Sequence, residues 1–144
     1  MLETAILEAG DPNAPRYATE LVRREKVRPT EQINEGRMKS LASKIQREGL
    51  WTKPILVEAS KMAIMDGHHR FHAASLLGLS KLPCLILTYD DPNLRVVGWA
   101  GGAPYDHVRI LEAAVSGEML AFKTTKHSFS GDVAFSNLPL EALR

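Results

Sequence analysis

Between Asn34 and Gly49 the apolar residues fall at Met38, Leu41, Ala42 and Ile45, the three-and-four spacing that turns one face of a helix toward a core. Asn34 suits the cap of that helix and Gly49 its end. The pattern then changes period. Pro54-Ile-Leu-Val-Glu58 is a short continuous apolar run, and Met62 to Met65 is another beyond the turn residues Ala59-Ser60-Lys61, so the two predict a hairpin-like pair of strands. Phe71, Ala74 and Leu77 return to helical spacing, which predicts a helix from His68 to Leu77 closed by Gly78. Leu82 to Tyr89 has strand length, with Pro83 at the strand start or on a sheet edge because it cannot donate to a ladder.

Outside this central stretch, Ala18 to Val27 reads as strand or helix. A strand ending at Val27 is favoured, because Arg28-Pro29 biases the chain toward extended geometry. Asp90-Asp91-Pro92-Asn93 is a turn, Leu94 to Trp99 a short strand, and Gly101 to Pro104 a loop. Asp106 caps a predicted helix to Ser116 with Val108, Leu111, Ala114 and Val115 inward and Gly117 beyond its end. Phe122 to His127 reads as a loop with an extended section, and Val133, Phe135, Leu138, Leu140 and Leu143 are expected to pack the tail against the body. Leu2 to Leu7 is a short strand or loose arm, followed by a loop over Gly10 to Pro15. Strands alternating with helices predict an α/β (α+β) chain, with residues 1–17 as an N-terminal arm and 18–144 as a single domain.

Composition narrows the function classes. With 144 residues and 44% hydrophobic content, one core is affordable without oligomerisation. No apolar run approaches the length of a membrane span, and the N-terminus does not resemble a secretory signal, so a cytoplasmic location without membrane attachment is expected. The formal charge of +1 lacks the basic surplus that nucleic-acid binding normally uses. The single cysteine, Cys84, reads as a small buried hydrophobe. No Walker-type or Gly-x-Ser-x-Gly stretch is present, and no Cys/His spacing suggests structural zinc.

The most informative segment is Asp66-Gly67-His68-His69-Arg70. A strand delivers Asp66 to a sheet edge, Gly67 turns the chain, and the next residues open a helix whose first N–H groups lack intrahelical partners. Such donors, with the helix dipole, suit a phosphate or carboxylate. Arg70 can close on that anion with its planar fork, and His68 and His69 supply imidazole donors or a base. Asp66 suits magnesium coordination or the orientation of a neighbouring histidine or hydroxyl. The plainer alternative is that Asp66 caps the helix and Arg70 is a surface residue. His72 reads as structural or exposed, and a metal site made by the two adjacent histidines is disfavoured because their side chains diverge.

Two further groups carry candidate chemistry. Lys123-Thr124-Thr125-Lys126-His127 gathers two lysines, two hydroxyls and an imidazole, enough to satisfy an anion, although such a segment also suits a solvated face. Glu31, after Pro29-Thr30, can act as a general base if the fold brings it near the anion; otherwise Thr30 caps and Glu31 is an early-turn acid. Arg23-Arg24 and Asp90-Asp91 read as solvated. Trp51 and Trp99 suit sheet faces, and Trp99 also suits a pocket wall beside its glycines.

Taken together, Pro54-Ile-Leu-Val, Met65-Asp-Gly-His-His-Arg-Phe, Ala73-Ala74, Leu77-Gly78 and Leu82-Pro83 resemble the ParB/sulfiredoxin superfamily. The Asp-Gly-His-His-Arg form is most similar to its free L-serine kinase branch, whose basic Lys-Thr-Thr-Arg/Lys-His segment resembles residues 123 to 127. The resemblance spans roughly residues 20 to 128. It implies a small mixed sheet with flanking helices, and phosphoryl transfer from ATP or ADP, with Mg2+, to free L-serine or a related small hydroxy amino acid. By position it implies that Glu31 is the general base and that Asp66 is the essential acid and a magnesium ligand. Gly67, His68, His69 and Arg70 would bind the nucleotide phosphates; Lys123, Thr124, Thr125, Lys126 and His127 would bind the substrate anion.

Departures bear on these implications. The chain is shorter than the characterised kinases, and Lys126 stands where arginine is common. His68 occupies the place of the reactive sulfiredoxin cysteine, and the Glu-Arg-Arg-like turn and DNA-binding helices of partition proteins are missing. The alternatives are a nucleotide-binding ParB-like regulatory module and a ParB-like nuclease. A small-molecule substrate is expected rather than nucleic acid or membrane, and an edge strand could pair two copies into a homodimer.

Overall fold

The computed structural model describes residues 16–144, so the expected arm and loop over residues 2–15 lie outside the described residues. Four strands form the main sheet. These are β2 (Glu20–Arg23), β4 (Ile55–Glu58), β5 (Ile64–Asp66) and β6 (Lys81–Leu87), in the order β2-β6-β4-β5. Strands β2 and β6 are antiparallel, β4 and β6 parallel, and β4 and β5 antiparallel with a register shift at Leu56/Val57. The sheet is therefore mixed, and its parallel step is bridged by β5 and helix α2 (His68–Leu76).

The apolar runs are continuous because the sheet is covered on both faces. Ile55, Val57, Leu82 and Cys84 join a core with Met38, Ala42 and Ile45 of helix α1 (Glu35–Glu48) and with Phe71, Ala73 and Ala74 of α2. The alternate residues Leu85 and Leu87 pack with Met65 against Leu94 of β7 (Leu94–Gly98), with Phe129 of β8 (Thr125–Phe129) alongside. Period-two alternation thus divides apolar residues of β4, β5 and β6 between two clusters. The expected caps of α1 form, with Asn34 accepting from the Arg37 amide and Gly49 left-handed at φ 69°. The described elements make an α+β fold, a small mixed sheet with flanking helices.

Four local expectations are corrected. The first strand ends at Arg23, and Arg24–Lys26 form a 3-10 turn because Arg24 bonds the Leu79 carbonyl through Nε and the Ser80 carbonyl through its amide. Tyr17, assigned to the arm from sequence, pairs with Val133 in β1 (Tyr17–Ala18) against β9 (Val133–Ala134), with its hydroxyl on Asp91. Helix α3 (His107–Ser116) buries Ile110, Ala113 and Ala114 and leaves Val108 and Val115 exposed. It carries two apolar stripes, and the one with small alanines faces the body. Pro83 lies on an inner strand, yet the parallel ladder with β4 begins only at Cys84, so the proline has only its antiparallel neighbour.

The tail packs as expected: Leu140 and Leu143 are buried, and β10 (Leu138–Pro139) pairs with β3 (Leu50–Trp51). Cys84 is buried, and burial pushes its thiol up to about 12, which leaves it an unreactive core residue. Among the described residues, no helix is long and apolar enough to cross a membrane.

Candidate functional site

Three distant segments meet at the end of β5. The first is the turn itself. Gly67 sits at φ 110°, and a Cβ there would lie 3.1 Å from Ile55 Cγ1 and 3.3 Å from Arg70 Nη2, so both conformation and space require glycine. Residues His68, His69 and Arg70 form the first turn of α2, and their amides find no acceptor among the described residues; the ladder begins with Phe71 N–H on the Gly67 carbonyl. Asp66 is half-exposed beside them, 3.5 Å from Arg70.

The second segment is Thr30–Gln32. The Thr30 hydroxyl donates to the Ile64 carbonyl, and its amide donates to Nε2 of His68 at 3.0 Å. The third is the stretch into β8. Leu120 donates to the Thr30 carbonyl and accepts from the Gln32 amide, which places residues 123–127 beside Glu31. Oε1 of Glu31 accepts from the Thr125 amide at 3.0 Å and its hydroxyl at 3.2 Å. Burial raises the Glu31 carboxyl above its ordinary value, against the opposing pull of these donors and of the Lys123 and Thr124 amides.

These segments enclose a cavity of about 350 Å³. Its walls bring together Glu31, Asp66, Gly67, His68, His69, Arg70, Lys123, Thr125, Lys126 and His127. Thr124 is not among them: its hydroxyl donates to the Ala121 carbonyl at 2.5 Å. A larger open groove of about 890 Å³ shares only Glu31 and Gln32 with this cavity and holds neither the turn nor the lysines, so the anion-binding groups belong to the smaller space.

Several side chains point otherwise than expected. The imidazoles of His68 and His69 each accept from a backbone amide at Nε2, His68 from Thr30 and His69 from Asn34, so that nitrogen does not donate toward an anion. Burial, then the neighbouring His72 and His127, hold the His68 ring neutral, with a pKa lowered to about 3. Both rings brace the walls, while the amides behind them stay free. Arg70 is mostly buried and donates to the Pro54 carbonyl at 2.8 Å, which ties the turn to β4.

Sequence reasoning missed Arg37, Gln32, Met65 and Phe122 on the cavity wall. Arg37 had a readable signal: a cation in the first turn of a helix opposes the macrodipole, a placement that needs another reason. Trp99, half-exposed, does line the pocket, with the ammonium groups of Lys123 and Lys126 each 5.0 Å from its ring centre. Lys123 holds a left-handed backbone at φ 59°, uncommon for a residue with a Cβ.

A family model for the ParB N-terminal domain matches residues 15–99. The ATP-dependent L-serine kinase of Staphylothermus marinus is 39% identical over 79 residues, 52% of this chain and 31% of that protein. The ADP-dependent L-serine kinase of Thermococcus kodakarensis is 28% identical over 79 residues, 52% of this chain and 33% of that protein. The chain thus spans about a third of the length of these curated relatives. A free serine kinase solved in complex with AMP superposes with a TM-score of 0.76 at 14% identity, covering 94% of this chain and 97% of that one; the likeness concerns the fold.

Proposed function

The chain belongs to the ParB N-terminal domain family, and from that premise we propose that it transfers a phosphoryl group from ATP or ADP to the hydroxyl of free L-serine or a closely related hydroxy amino acid. The observation that carries this reading is the meeting of Glu31, the Asp66–Arg70 turn and the Lys123–His127 segment around one cavity. Phosphoryl transfer needs alignment and charge compensation more than a covalent nucleophile, and these groups supply both.

In this reading the free amides of His68, His69 and Arg70 hold the donor's phosphates at the start of α2. Glu31 takes the hydroxyl proton. Its burial-raised basicity suits that role, and Thr125 fixes the carboxylate through Oε1. Lys123 and Lys126 face the anionic groups of donor and acceptor. Asp66 is the carboxylate suited to Mg2+, which commonly binds through one or two carboxylates, phosphates and water rather than a protein cage. No group of three or more His, Cys, Asp or Glu among the described residues offers such a cage. When bound, the ion would neutralise phosphate charge. The relatives' named activities support a serine acceptor, and one being ATP-dependent and another ADP-dependent leaves both nucleotides as donors. The proposed enzyme acts on small molecules in the cytoplasm.

Incubation of the chain with ATP or ADP, Mg2+ and L-serine tests the reading by the appearance of O-phosphoserine. Glu31→Gln is expected to slow transfer by about 100-fold or more while nucleotide binding persists. Tight nucleotide binding without any phosphoserine from the unaltered chain would favour a regulatory module instead.

A further inference from the structure

We propose that Tyr89 is a positioning residue of this site: its hydroxyl fixes His127 in the tautomer whose Nδ1 bears the hydrogen, setting a neutral donor for the acceptor's carboxylate. This rests on the reading of residues 123–127 as the acceptor's anion site.

His127 lies on β8 opposite Val96 and borders the cavity. Its Nε2 is 2.9 Å from the Tyr89 hydroxyl, whereas Nδ1 is buried without a hydrogen-bond partner, the one such side-chain nitrogen or oxygen among the described residues. Buried polar atoms are nearly always paired, so an orphan in a residue that borders the cavity points to a ligand group as its missing partner.

The direction of the Tyr89 bond follows from its surroundings. The hydroxyl has no other hydrogen-bond partner among the described residues, so its hydrogen finds an acceptor only at Nε2. A neutral imidazole accepting at Nε2 must carry its hydrogen at Nδ1. Burial keeps the ring neutral, with a pKa lowered to about 4, and burial with nearby Glu58 keeps the phenol protonated.

The phenol is itself held. Tyr89 follows β6 of the main sheet, and its ring stacks on His107 at 4.6 Å and 15°, the first residue of α3. The lysines supply undirected attraction for an anion, and Nδ1–H adds a fixed direction that an α-carboxylate can meet.

Two-dimensional long-range 1H–15N spectra of the histidine-labelled chain test the tautomer without any variant. His127 is expected as Nδ1–H, with Nδ1 shifting on addition of L-serine but not of ethanolamine, which lacks the carboxylate. An Nε2–H ring, or an Nδ1 resonance indifferent to saturating serine, overturns the proposal.

Kinetics supply the second arm. Tyr89→Phe should raise the acceptor KM by about 10-fold while kcat stays within roughly twofold, as expected for one charge-assisted hydrogen bond. His127→Asn puts an amide N–H near the Nδ1 position, so adding Tyr89→Phe to it should cost nothing more. Independent losses in the double variant, or a fall in kcat alone, would count against a positioning role. If no transfer to serine occurs at all, the kinase reading falls, and the tautomer and serine titration still decide this proposal.

Discussion

Acid should destabilise this fold well before its carboxylates titrate. His68 and His127 are both buried and neutral, with pKa values lowered from 6.5 to about 3 and about 4, chiefly by burial. In the unfolded chain both rings take up a proton near their ordinary value, whereas in the folded chain they do not until the pH is far lower. The unfolded state therefore binds more protons throughout the window from pH 6.5 down to about 4, and stability falls with pH there. From pH 6.5, where the unfolded rings are half protonated, to pH 5 each histidine withdraws about 1.6 kcal/mol, so the pair withdraws about 3 kcal/mol. A typical domain has about 5–15 kcal/mol in total, so the effect is large. Glu31 works in the opposite direction, because a folded-state carboxyl raised by burial favours the folded chain as pH drops past its titration. Urea titrations followed by the emission of buried Trp51 at pH 6.5 and 5 give the two stabilities. His127→Asn should lower the difference by about 1.6 kcal/mol, because one titrating ring is gone. Equal stabilities at the two pH values, or an undiminished difference in the variant, would refute the buried, neutral state of these rings.

Gly67→Ala should cost about 3 kcal/mol in urea titrations, combining left-handed strain with the contact to Ile55, and should weaken nucleotide binding; a fully stable variant would refute the turn's geometry. Trp99 emission should change when nucleotide or serine draws Lys123 and Lys126 from its ring, and Trp99→Phe should abolish the signal, since Trp51 is buried elsewhere; a signal that persists would place the lysines' ligand away from Trp99. Lys126→Ala should weaken nucleotide or serine binding and flatten its salt dependence, read by titration at two ionic strengths, because an exposed cation's attraction is screened; unchanged binding would remove Lys126 from the site.

Local chemistry made much of this legible along the chain. Asn34 and Gly49 bound α1, Asp106 and Gly117 bound α3, and Gly67 turns β5 into α2 because each residue's own hydrogen-bonding or backbone preference acts within a few positions. The anion-suited turn and the basic segment were likewise visible as local groupings, and free amides at a helix start need no distant partner to exist.

What the tertiary structure decided were matters of direction and meeting. Which stripe of α3 faces inward, how Arg24 bends the first strand, and where the rings of His68 and His69 point all depend on partners many residues away. The approach of Glu31 to Thr125, 94 positions along, follows from the Leu120 pairing with Thr30 and Gln32. Residue preference alone determined the turns, caps and periods, because those energies are settled between near neighbours; packing decided the cavity, because its walls exist only where separate segments close on one another.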